Sequence, residues 1–276
     1  MNRRLQVGRP TAPLLAALAL VVGLAAHAQP VAAQEPPSVF LEELTWTEVR
    51  DALESGHTTV IVPTAGTEQN GPHMVLGKHR YIIEHASERI AHVLGDVLVA
   101  PTMTYVPEGE VDPPSGHMRM PGTITLPNEH FEAVLEYAAR SLAAHGFTDI
   151  VFMGDSGGNQ RGMSNVADML NDEWAGGDSR VLFVGDYYGA NGFRDYVSEQ
   201  GISEEDQGGH AGVIDTSQLL FVNSDHIRIG ELAPRGGFEG SGVSGDPTQA
   251  SIQLGYVGMQ MKVDTAVRQI RELRGR

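Results

Sequence analysis

The chain has 276 residues, with 35 acidic against 19 basic side chains and a formal charge of −16. So acidic a balance argues against nucleic-acid binding and for a soluble protein. Cysteine is absent, which excludes both a disulfide framework and a thiol nucleophile.

In chain order, Arg3, Arg4 and Arg9 come first, then an apolar run from Leu14 to Ala26, then small residues in Ala26-His27-Ala28 and Val31-Ala32-Ala33. A positive start, a short apolar middle and an Ala-x-Ala end make the pattern of a secretory signal peptide over residues 1–33, cut after Ala28 or Ala33. A membrane span would need about twenty apolar residues. The expectation is a periplasmic or secreted protein with no membrane contact after cleavage; the Arg3-Arg4 pair hints at twin-arginine export. Loss of three arginines takes the formal charge from −16 to −19. About 240 residues remain, ample for one α/β domain over 34–276.

After a short linker, Gln34 to Ser38, Thr45-x-x-Glu48 reads as a capping box opening a helix to about Glu54. Strands are predicted near Thr59 to Pro63, Val97 to Ala100, Asp149 to Met153 and Val181 to Val184. Helices are predicted near Tyr81 to Leu94, Glu129 to Ala144, Gln160 to Asn171, Gly192 to Glu199 and Tyr256 to Leu273. In the helix after Asn128, the residues Phe131, Val134, Leu135, Ala138 and Leu142 fall on one stripe, read as buried. The glycine-rich stretch from Arg235 to Gly245 reads as a mobile loop. This alternation predicts a mostly parallel sheet covered on both faces.

Two strand-like runs end in polar clusters. Val60-Ile61-Val62 leads into Glu68-Gln69-Asn70-Gly71-Pro72-His73 and then Lys78-His79, and Asp149 to Met153 leads into Gly154-Asp155-Ser156-Gly157-Gly158-Asn159. In open α/β sheets ligands bind beyond the carboxyl ends of the strands, so the two clusters predict one shared crevice. The first cluster alone reads equally well as an ordinary polar loop, and the second tips the balance toward a site.

Read together, "PTAGTEQNGPHMVLGKH", "SGHMRMPGTITL", "AAHGFTDIVFMGDSGGN", "HAGVIDTSQLL" and "GVSGDPTQAS" resemble the creatininase (creatinine amidohydrolase) family from about Leu44 onward. The resemblance implies a three-layer αβα sandwich and a homo-oligomer, commonly a hexamer. It also implies a metal-dependent hydrolase of amide or related carbon-nitrogen bonds in small molecules, using one or two divalent ions. The family pattern is not intact. Glu68 and His73 match, but Asn70 stands where a ligand His is expected, His79 where a ligand Asp is expected, and Ser156 where another ligand His is expected.

A carboxylate can bridge two cations, whereas neutral imidazole offers one lone pair to one, so His79 argues against a binuclear centre. Asn70 and Ser156 are weak ligands. The expectation is therefore one ion, zinc before manganese or iron, held by Glu68, His79 and Asp155 with a position left for water. The alternatives are a metal-free pocket in which Glu68 and His79 form a proton-transfer pair, and a binding protein without catalysis. His210, in a block resembling His-Ala-Gly-x-x-Glu-Thr-Ser with Asp215 in place of Glu, is expected to move a proton beside Glu68, or else simply to cap the following helix.

His73 and His117 are open between ligation, contact with ligand or substrate, and loop hydrogen bonding. Gly157, Gly158 and Asn159 either turn backbone N–H groups toward an anion or only make a tight turn. His85, His92, His130 and His145 read as structural. Trp174, Tyr187 and Tyr188 read as packing before pocket wall. The reading is an exported creatininase-like hydrolase of a small-molecule amide or cyclic amide.

Overall fold

The computed structural model describes residues 35–233 and 237–275. The signal-peptide segment and the start of the glycine-rich loop lie outside the described residues. The Thr45 box forms as read: the Thr45 hydroxyl accepts the Glu48 N–H and the Glu48 carboxylate accepts the Thr45 N–H at 2.7 Å, opening α1 (Trp46–Glu54).

Among the described residues four strands make one all-parallel sheet in the order β2-β1-β3-β4: β1 (Thr59–Thr64), β2 (Val97–Val99), β3 (Asp149–Gly154) and β4 (Arg180–Phe183). The helices are α2 (Lys78–Leu94), α3 (Asn128–Ala144), α4 (Gln160–Glu173), the short α5 (Asp186–Gly189), α6 (Phe193–Glu199) and α7 (Glu204–Gln207), then α8 (Val213–Asn223) and α9 (Ile252–Arg274).

Side chains alternate across a strand with period two, so a sheet covered on both faces needs two apolar sets. One set, Ile61, Val99, Val151, Met153 and Leu182, packs on Ile82, Ile83 and Ile90 of α2 and on Met259, Val263 and Ile270 of α9. The other, Val60, Val62, Leu98, Ile150, Phe152 and Val181, packs on Phe131 and Leu135 of α3 and on Met163, Val166 and Leu170 of α4. The expected stripe of α3 is narrower than read. Val134 is exposed and Ala139 is buried in the core instead.

The difference that matters for function is the start of α2. Its first turn holds Lys78 and His79, three residues ahead of the predicted start. Cationic groups at a helix N-terminus oppose the helix dipole, and Gly77 offers no side-chain cap, so nothing local announces a helix there. The compensation comes from acids on other elements.

Candidate active site

A cavity of about 850 Å³ opens beyond the carboxyl ends of β1 and β3, with Glu68, His117, Ser156 and His210 in its wall. Glu68 follows β1, Asp155 and Ser156 follow β3, and His79 is carried on the first turn of α2. The two strand tips therefore meet, as the sequence predicts, and His79 joins them. Its Nε2 lies 2.7 Å from Glu68 Oε1 and its Nδ1 lies 2.9 Å from Asp155 Oδ2.

The three residues expected to hold a metal are thus bonded to one another. An imidazole that faces a carboxylate oxygen at each nitrogen donates through both, which leaves neither lone pair for a metal. Burial and Lys78 depress the His79 pKa, but Glu68 and Asp155 outweigh them and raise it, in keeping with a ring that donates through both nitrogens. Asp155 has no free oxygen to offer. Its Oδ1 accepts from the Tyr187 hydroxyl at 3.0 Å and from the ammonium of Lys262.

Two lysines complete this cluster. Lys78, fully buried, donates to Asp215 Oδ2 at 2.8 Å and stands 3.5 Å from Glu68 Oε1. Lys262, projecting from α9, also bonds Gln218 Oε1 at 3.1 Å and lies 4.5 Å from the Tyr187 ring centroid. Burial opposes ionisation of every acid here. Against it, His79 and Lys78 hold Glu68 far below the usual range, Lys262 and His79 hold Asp155 down, and Lys78 with His79 does the same for Asp215.

Glu108, in the loop after β2, takes the opposite state. Burial, then the charge of Glu68 and a hydrogen bond to it, push its carboxyl up to about 10, so it stays protonated beside an ionised partner. The Glu108 side chain packs onto the bare Cα of Gly66, where a Cβ would meet its Oε1 at 2.2 Å and displace it. Glu108 Oε1 itself is buried without a hydrogen-bond partner.

On the cavity side the packing is looser. His210 Nδ1 lies 3.6 Å and His117 Nε2 3.4 Å from Glu68 oxygens. His210 gives its Nε2–H to the backbone oxygen of Gln69 at 2.7 Å, which turns the Nδ1 lone pair toward Glu68. Burial first, then Lys78, lower its pKa to about 4, so this imidazole is neutral at pH 7. The residue after it, Ala211, has φ +55°, a costly conformation for a residue with a Cβ, and the Asp215 carboxylate holds it through its N–H at 2.8 Å. His210 is therefore a wall residue positioned from behind, and Gly212 rather than His210 is the N-cap of α8.

Other expected site residues fall outside the cavity. Asn70 donates to the backbone oxygens of Glu68 at 2.9 Å and Val75 at 3.1 Å, fixing the loop that carries Glu68. His73 bonds Thr216 Oγ1 at 3.0 Å inside the protein. Asn159 ties the strand tips together through Thr64 Oγ1 at 3.0 Å and Ala65 O at 2.6 Å. Ser156, Gly157, Gly158 and Asp215 do line the cavity, as does Tyr188, which stands over Gly157. Tyr187, read as packing, is a hydrogen-bond donor to the cluster.

The sequence assigns no role to Lys78, although it lies in the polar cluster, and does not point to Lys262 or Glu108. One signal was present: Lys262 interrupts the buried stripe Met259, Val263, Ala266 and Ile270 of α9, where an ammonium needs a partner.

Glu68, His117 and His210 each present a possible ligand atom, all within 4.8 Å of one another, a grouping that could hold one metal ion. Ligands about 2.1 Å from a tetrahedral ion stand roughly 3.4 Å apart, which this spacing matches. The protonation does not match. Gln69 accepts the Gly71 N–H at 3.0 Å through Oε1 and donates to Gly242 O at 3.2 Å through Nε2, so the amide cannot turn without losing both. Its Nε2 therefore faces His117 Nδ1 as a donor at 3.0 Å, and the ring hydrogen sits on His117 Nε2, pointing at Glu68. A ligating histidine has the reverse arrangement, with an acceptor behind it.

Comparison with known proteins places these observations in a family. The creatininase model, described as creatinine amidohydrolase, matches residues 42–270. The mycofactocin precursor peptide peptidase of Mycolicibacterium smegmatis is 28% identical over 225 residues, 74% of this chain and 80% of that protein. The creatinine amidohydrolase of Pseudomonas putida is 26% identical over 202 residues, 70% of this chain and 75% of that protein. A crystal structure of creatininase superposes with a TM-score of 0.73 at 23% identity, over 86% of this chain and 98% of that one. Solved structures similar in fold include a manganese form and a zinc–zinc form of creatininase. The residues present here do not fit such a metal pair, because ammonium groups and an imidazolium already answer the carboxylates.

Proposed function

The chain belongs to the creatininase family, and from that premise we propose that it is an exported hydrolase of carbon-nitrogen bonds in a small amide, cyclic amide or peptide-like substrate. The observation that carries this reading is the neutral His210 imidazole, its lone pair turned into the cavity beside the ionised Glu68. Two of the relatives bear the names peptidase and amidohydrolase, which share this bond class. The N-terminal pattern Arg3 to Ala33 supports an extracytoplasmic address.

In this reading a water on His210 Nδ1 gives up a proton as its oxygen attacks the carbonyl carbon. The carbon-nitrogen bond then breaks, and the same proton passes to the leaving nitrogen, yielding an acid and an amine. Glu68 faces the imidazolium formed on His210 and stabilises its charge. His117, with a hydrogen on Nε2, and the Ser156-Gly157-Gly158 turn border the space where the carbonyl would lie.

The test is a panel of lactams, imides, cyclic ureas, formamides and short peptides, with amine release read by mass spectrometry for the native protein and for His210→Ala. Turnover in the native protein that His210→Ala loses supports the reading. Saturable binding of a panel member with no product at high enzyme concentration would instead identify a binding protein on this fold.

A further inference from the structure

We propose that Lys78, Lys262 and the doubly donating His79 are the resident cations of this site, so that the centre is complete without a metal ion. The inference concerns the same site as the hydrolase reading, and its experiment does not depend on turnover.

The acids are already occupied. Lys78 Nζ reaches both Asp215 and Glu68, and Lys262 Nζ reaches Asp155, so each ionised acid of the cluster already has an ammonium partner. Lysines this deeply buried are tolerated only when paired, and here the pairing is mutual. Three acids, Glu68, Asp155 and Asp215, stand at ion-pair distance from three basic side chains, Lys78, Lys262 and His79. A divalent ion would add two uncompensated charges to a buried, balanced set.

The spacing is too close for an ion as well. Ligand atoms around a zinc ion stand about 3 Å or more apart. His79 Nε2 and Glu68 Oε1 are 2.7 Å apart and His79 Nδ1 and Asp155 Oδ2 are 2.9 Å apart, the separations of hydrogen bonds with a proton between them. The shell behind the atoms opposes ligation too. Gln69 presents a donor to His117 Nδ1, which puts the ring hydrogen on Nε2, the atom that faces Glu68 and would have to offer a lone pair to a metal.

The experiment is metal analysis of the purified protein, expressed in medium supplemented with zinc and manganese, together with its melting temperature with and without chelator. The expected result is less than about 0.1 ion per chain and an unchanged melting temperature, since no folding energy is linked to a metal. One or two ions per chain, with a fall in melting temperature on chelation, would overturn the proposal.

A second arm uses Lys262→Met, which should create a vacancy beside Asp155. Zinc or manganese should raise the melting temperature of this variant and leave the native protein unmoved; stabilisation of the native protein by either ion would count against the proposal. If the variant does not fold, Lys78→Met serves in its place, and the native metal content decides regardless. A failed substrate panel leaves these results intact, and a metal-bound protein would leave the hydrolase reading standing.

Discussion

The two sides of Glu68 are built differently. Behind it, His79, Asp155, Lys262 and Tyr187 are buried and joined at hydrogen-bond distance, with every oxygen of Asp155 engaged. In front, His117 and His210 stand 3.4 and 3.6 Å away, and His117 is partly open to the cavity. The contrast separates holding from acting. The rear half fixes charges and places Glu68, and the front half leaves the His210 Nδ1 lone pair without a donor where a substrate can enter.

Substitutions in the rear should therefore cost stability, and substitutions in front should cost activity. The largest effect is expected for Lys262→Met, which leaves the buried Asp155 without its ammonium and should destabilise by about 3–5 kcal/mol in urea unfolding. A loss below about 1 kcal/mol would show that the rear cluster is not the charge framework described. Next is His210→Ala, expected to lower kcat by roughly 10²–10⁴-fold at near-native stability, since the group moves a proton and sits at the wall. Equal losses of activity and stability at both positions would erase the distinction between the halves.

A smaller, pH-dependent effect should appear at Glu108→Gln. The Glu108 pKa is raised to about 10, so its contribution is fully present below the usual 4.5 and is lost as pH rises toward 10. The glutamine has no such loss. The stability of Glu108→Gln relative to the native protein should thus climb with pH between those limits, as read from melting curves at pH 5 and pH 8. A pH-independent difference would mean that Glu108 is ionised in the folded protein.

The smallest effect concerns His210 and acid. With its pKa lowered to about 4, the folded protein resists a proton that the unfolded chain takes up near 6.5, so stability should decline as pH falls through that window. His210→Gln should flatten that limb. A limb unchanged in the variant would place the acid sensitivity elsewhere.

Much of the fold was legible because it is local. The Thr45 box, the apolar strand runs and the stripe of α3 are short-range patterns, and the parallel sheet follows from their alternation. The meeting of Glu68, His79 and Asp155 was legible too, since strand tips in such sheets share one crevice. What those residues do together was not. A carboxylate beside an imidazole is a ligand pair or a hydrogen-bonded ion pair according to its further neighbours, and here the neighbours are Lys262, 107 positions from Asp155, and Lys78, hidden in a helix start that no cap announces. Asn70 and His73 show the converse. Their motif places them at the site, but their side chains turn into the loop and toward Thr216.

The most direct measurement is the ¹⁵N spectrum of the His79 ring in the purified protein at pH 7, assigned by its loss in His79→Gln. The account requires both ring nitrogens to carry hydrogen, one shared with Glu68 and one with Asp155. A bare or metal-bound nitrogen on that ring would contradict it.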